Sequence, residues 1–117
     1  MENIEFAKKL EERTRNFAVD IIRISSKLPD HPESKVIRNQ LTKSGTSIEA
    51  NYREANRARS SADFINRIKI CESEASETQY WLAVISDNEW ALPSKLQVAR
   101  NECAELLAIF TTIGKNK

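Results

Sequence analysis

Metal-binding and nucleophilic residue types are scarce in this chain: one His and two Cys in 117 residues. Most zinc centres, and di-iron sites built on Glu-x-x-His pairs, need more of them. Glycine and proline are scarce too, at 2 and 3 copies, too few for the turns of a β-sandwich or a loop-rich fold. Neither sign of charge dominates. The 18 Lys/Arg stand against 17 Asp/Glu, a net charge of +1, so no global field draws nucleic acid. No uncharged stretch approaches the ~18 residues of a membrane span, and Glu2 and Glu5 among the first apolar residues argue against a signal peptide. What remains is 40% hydrophobic and has the usual length of one domain, expected over 1–117. A helical, cytoplasmic protein with no membrane partner and no cofactor is expected.

The few prolines punctuate the chain. Pro29 and Pro32 bracket one break, Pro93 marks another, and the polar run Arg57-Ala58-Arg59-Ser60-Ser61 makes a third. Each of the four segments steps its apolar and small residues by threes and fours, the spacing that keeps one helical face inward. The first shows Leu10, Thr14, Phe17, Ile21, Ile24 and Leu28, the second Ile37, Leu41, Ser44, Ile48, Asn51 and Ala55. The third has Phe64, Ile68, Cys71, Ala75, Thr78, Leu82 and Ile85, and the fourth Leu96, Ala99, Cys103, Leu106, Phe110 and Ile113. Short connections make consecutive helices antiparallel neighbours, so the expected fold is all-α, an up-down-up-down four-helix bundle. Antiparallel stacking puts Phe17, Ile48, Cys71 and Phe110 in one layer, where large and small residues complement each other. Leu28 before Pro29 is an expected stop for the first helix. Ser60 or Ser61 is an expected cap of the third, Ser94 of the fourth, and Gly114 lies near the last end.

Few chemical sites stand out. Cys71 and Cys103 fall on inward positions about two turns apart, too far for a disulfide, and read as small hydrophobes. His31, between two prolines, reads as a solvated turn residue. Glu74/Glu77 and Glu102/Glu105 form two Glu-x-x-Glu pairs, the type that binds magnesium in all-helical nucleotide hydrolases. They flank or leave the seam, so a solvated or salt-bridged face is the better account. There is no Ser-His-Asp, Cys-His or glycine-rich phosphate-loop pattern, so catalysis is not expected.

Three other features bear on function. Gln40, Ser44, Ser47, Asn51 and Glu54 form a polar stripe on or beside the inward face of the second helix, and these groups need partners among themselves, Thr14 or Glu74. The stripe reads as a register device rather than a ligand cavity. Arg53, Arg57, Arg59 and Arg67 crowd the junction of helices two and three beside Ser60 and Ser61, with Lys43 adding charge. This is either an anion site suited to phosphate or an ordinary solvated loop. Val19, Ile22, Trp81, Val84 and Trp90 miss the seam, which suggests a partner surface, most economically a second copy, or a cover for the loops of a monomer.

The run Gln40-Leu41-x-x-Ser44-x-x-Ser47-Ile48-x-x-Asn51-Tyr52-x-Glu54-Ala55, then Ser61-x-Asp63-Phe64-Ile65, then Glu74-Ala75-x-Glu77-Thr78-x-Tyr80-Trp81-Leu82, resembles the four-helix bundle proteins encoded in intervening sequences of bacterial 23S rRNA genes. The polar stripe is part of that pattern. The resemblance implies a left-handed bundle assembled as a ring-like homo-oligomer, typically a pentamer. That family is similar to the accessory variability proteins of diversity-generating retroelements, which are basic pentamers that bind nucleic acid and a reverse transcriptase. The near-neutral charge of this chain departs from those proteins, and no catalytic residue carries over.

Overall fold

The computed structural model of the chain describes residues 4–115. Residues 1–3 and 116–117, and Glu2 with them, lie outside the described residues. Four helices account for most of the chain: α1 (Ile4–Ser25), α2 (Pro32–Ala55), α3 (Ser61–Asp87) and α4 (Pro93–Lys115).

The breaks arise from local chemistry. Pro32 opens α2 at a position where its missing N–H has no helical partner to lose. The residue before it stays in the turn and partly solvated, but does more than expected. His31 caps α2, its Nδ1 accepting the Ser34 N–H at 3.3 Å while the Ser34 hydroxyl accepts the His31 N–H at 3.3 Å. The expected stop at Leu28 comes three residues early. After Ser25 the chain tightens, with Lys27 N–H bonded to the Ile24 carbonyl and Leu28 N–H to that of Ser25. Ser60 caps α3, its hydroxyl accepting the Asp63 N–H at 3.1 Å. Ser94 does not cap α4, because Pro93 already begins that helix, and α4 runs on through a buried Gly114.

The far end of α3 closes differently. The Trp90 N–H bonds the Ile85 carbonyl and the Glu89 N–H bonds that of Ser86, the paired bonds of a Schellman motif. The left-handed residue this motif requires is Glu89, at φ 57°. A side chain there costs about 1–2 kcal/mol that glycine would avoid.

Each helix packs on the next, and α4 returns to α1. Cross-helix bonds run in opposite order along consecutive helices. Between α1 and α2, Thr42 donates to Ser25 at 2.9 Å, Arg15 pairs with Glu49 at 3.2 Å, and the Asn56 amide donates to Glu11 at 2.8 Å. Between α2 and α3, Thr78 donates to the Ser44 hydroxyl at 2.8 Å and the Cys71 thiol to the Ile48 carbonyl at 3.6 Å. Phe17, Ile48, Cys71 and Phe110 are all buried in one hydrophobic cluster. On α3, every residue of the expected series from Phe64 to Ile85 is buried.

The second helix is turned slightly from expectation. Tyr52 is wholly buried and its ring meets Phe110 edge-on at 5.6 Å, while Asn51 is only half-buried. The cause lies about two turns earlier. A Cβ on Gly45 would stand 2.7 Å from Ile21 Cγ2, so the bare backbone there lets α1 and α2 approach.

Candidate nucleic-acid interface

The arginines of the α2–α3 junction are arranged by the ends of two helices. Arg53 sits in the last turn of α2, Arg57 and Arg59 in the connection, and all three are exposed. Among the described residues, none of these three makes an ion pair. Arg67, nearly two turns into α3 and half-buried, lies 3.9 Å from Asp63.

Two members of the expected cluster do other work. Lys43 lies ten residues before Arg53 on the same helix, roughly 15 Å along its axis, beside Glu74 and away from the junction. The Ser60 hydroxyl already accepts from the first turn of α3, and Asp63 supplies that turn with a carboxylate. The helix N-terminus is therefore served from within. What the junction exposes is guanidinium groups, with Ser61 exposed beside them.

The polar stripe divides in the same way. Ser44 is buried and bonded to Thr78 across the α2–α3 seam. Ser47 and Asn51, half-buried, bond backward to the carbonyls of Lys43 and Ser47. Thr14 likewise bonds its own helix, at Leu10 and Glu11. Gln40 is half-buried, but Glu54 is exposed and not part of a buried stripe, because the rotation that buries Tyr52 swings it outward. Glu74 is half-buried, and burial, with Glu77 nearby, raises its pKa against the pull of Lys43.

The two Glu-x-x-Glu pairs do not converge. Arg13 on α1 clasps Glu102 with two bonds, at 2.6 and 2.8 Å, and reaches Glu105 at 2.6 Å. These carboxylates hold the Arg13 guanidinium firmly protonated. Glu77 instead receives the Trp81 indole N–H at 3.2 Å. One pair thus engages an arginine and the other lies on α3 beside Lys43 and Trp81, so among the described residues the four carboxylates form no shared metal cradle.

The apolar candidates form separate surfaces. Val19 and Ile22 are exposed on α1, while Trp81 and Val84 are half-buried on the diagonal helix α3. Trp90 is half-buried and packs edge-on against His31 at 5.3 Å, so it covers a loop of its own chain. Sequence periodicity missed a cleft of about 1110 Å³ between α1 and the start of α4, floored by Phe17, Ile24 and Leu96. Leu92 and Val98 at its edge are 66% and 68% exposed. Both cysteines are buried, and burial pushes the Cys103 thiol up to about 12.

A bundle of four helices alone is shared by many unrelated proteins, so comparison with known proteins decides the family. The family described as 23S rRNA-intervening sequence protein matches residues 8–112. The chain belongs to that family. Its fold is similar to the crystal structure of a protein of unknown function, from the S23 ribosomal protein family of Bacteroides thetaiotaomicron. The two are 35% identical, with a TM-score of 0.84 over 93% of this chain and 97% of that one. No curated protein matches the chain. The span matched to the intervening-sequence family includes the polar and aromatic motifs along α2 and α3. Among the described residues, no helix is long and apolar enough to cross a membrane.

Proposed function

We propose that this member of the intervening-sequence family is a non-enzymatic, cytoplasmic, homo-oligomeric accessory module that grips the phosphate backbone of RNA or DNA. The carrying observation is the set of exposed, unpaired guanidinium groups of Arg53, Arg57 and Arg59 at the α2–α3 junction. One such cluster binds weakly; a ring of copies, a pentamer by family resemblance, multiplies the effective concentration of the sites. Val19 and Ile22 on one flank and Trp81 and Val84 on another give each copy two different apolar surfaces, which a head-to-tail ring requires. A protein partner such as a reverse transcriptase, implied by the more distant resemblance, would occupy what the ring leaves free.

The test is binding of a labelled RNA hairpin with single-stranded flanks to the intact assembly across a salt series. Affinity should fall steeply with salt, and Arg57→Glu should weaken it and reduce the salt slope by about one per lost phosphate contact. No binding at 50 mM salt would overturn this reading in favour of a purely protein-binding scaffold. Light scattering that shows a monomer at micromolar concentration would overturn the ring.

A further inference from the structure

The charge at the α2–α3 junction does not belong to two helices alone. The Glu11–Asn56 bond brings the first turns of α1 to the same end of the bundle. A Cβ on Gly114 would stand 3.8 Å from both Ile68 Cγ2 and Lys69 Nζ, which brings the last turn of α4 there as well. Lys8, Lys9, Lys69 and Lys115, all exposed, therefore join the arginines around one end. The carboxylates at this end are fewer. Of Glu5, Glu11, Glu12, Glu54 and Asp63, two are already engaged, by Asn56 and Arg67. The protein measures 44 × 23 × 20 Å, so the cations ring a face about 20 Å across, wider than either groove of a duplex.

Aromatic groups are distributed in the opposite way. Tyr52, Phe64 and Phe110, the aromatic residues of the inner layers near this end, are buried in the core. Among the described residues, Phe6 is the one aromatic side chain at this end with substantial exposure, 42%. Tyr80, exposed, lies thirteen residues beyond Arg67, roughly 20 Å along α3, packed edge-on against Trp81 and near Glu77. Proteins that hold single strands interleave cations with several aromatic platforms on which successive bases stack. Here the cations and the platforms are at different places, and the platforms stand among carboxylates.

We infer that the ligand of the basic end is the double-helical backbone, with cations from all four helices bridging phosphates of both strands, and not an unpaired strand. This rests on the proposed phosphate-binding role and narrows its substrate. Duplex RNA and duplex DNA both present two phosphate strands to such a face, and among its described residues no helix or ribbon projects to read a groove.

Fluorescence anisotropy with the intact protein and 24-nucleotide probes separates the possibilities: duplex RNA, duplex DNA, and unstructured single strands of each. At equal salt the duplexes should bind at least tenfold more tightly than the single strands. Lys8→Glu with Lys9→Glu should weaken duplex binding about as much as Arg57→Glu, with circular dichroism unchanged. Phe6→Ala should leave it unaltered. Single strands bound as tightly as duplexes, or a loss above threefold in Phe6→Ala, would overturn the inference while leaving phosphate binding intact. No binding of any probe at low salt would overturn both. The ratio of the two duplex arms then assigns the source, RNA or DNA.

Discussion

The seams around α2 and the seam between α1 and α4 join helices of the same sequence pattern in opposite ways. Around α2, small residues let backbones approach: Gly45 lies under Ile21, and Ser44 meets Thr78 through a buried hydroxyl pair. Between α1 and α4, a half-exposed arginine clasps two glutamates, and a cleft opens beside them. The contrast shows that a run of threes and fours establishes which face is buried, while side-chain size at a few positions decides how closely two helices approach.

Breaking the closed side should have the largest effects. Tyr52→Ala removes a wholly buried ring, so denaturant unfolding should show a loss of about 3–5 kcal/mol, in the range for large aromatic truncations. A much smaller loss would mean that α2 is not held where the ring places it. Gly45→Ala comes next. Overpacking costs about 1–3 kcal/mol, offset by ~1 kcal/mol of helix propensity, so a net loss of about 1 kcal/mol is expected. Gly114→Ala, whose added methyl finds only ordinary contacts at 3.8 Å, should go the other way and stabilise by up to ~1 kcal/mol.

The open side should respond less. Glu89→Gly relieves the left-handed side chain and should raise stability by about 1 kcal/mol. Arg13→Ala should cost no more than about 1 kcal/mol, because its ion pairs are solvated and screened, and the cost should shrink in high salt. A large, salt-insensitive loss would show that the α1–α4 seam depends on this clasp more than its exposure allows. The smallest effect is the most specific. Glu74 has a raised pKa in the folded state, so the native protein holds its proton more tightly than the unfolded chain, and stability contributed by the neutral form falls as pH rises through the native pKa. Glu74→Gln should therefore stabilise slightly at neutral pH, and the advantage should vanish below the ordinary carboxylate range.

Much of this was legible in the residues. The α3 series is buried as spaced, because its inward positions carry unambiguous apolar or small groups. The α2 series was ambiguous: Leu41, Ile48 and Ala55 fit with either Ser44 and Asn51 or Gly45 and Tyr52. Hydropathy counts glycine as neutral and tyrosine as half-polar, so the pattern gave no sign that Gly45 admits α1 and turns Tyr52 inward. The arginine cluster could be placed at a helix junction from the prolines and serines alone. The contributions of Lys8, Lys9 and Lys115 could not, since they depend on where α1 meets α2, at Glu11 and Asn56, and where α4 meets α3, at Gly114 and Lys69. The assignment of Lys43 failed for the same reason in reverse: closeness in sequence put it in the cluster, and three turns of helix carry it away.

One small contact reaches further than its size. Because the cap of α2 and the turn after α3 touch through His31 and Trp90, neither connection can loosen without disturbing the other. Amide protons there should exchange as one cooperative unit, while those of 56–60 at the opposite pole exchange independently and sooner.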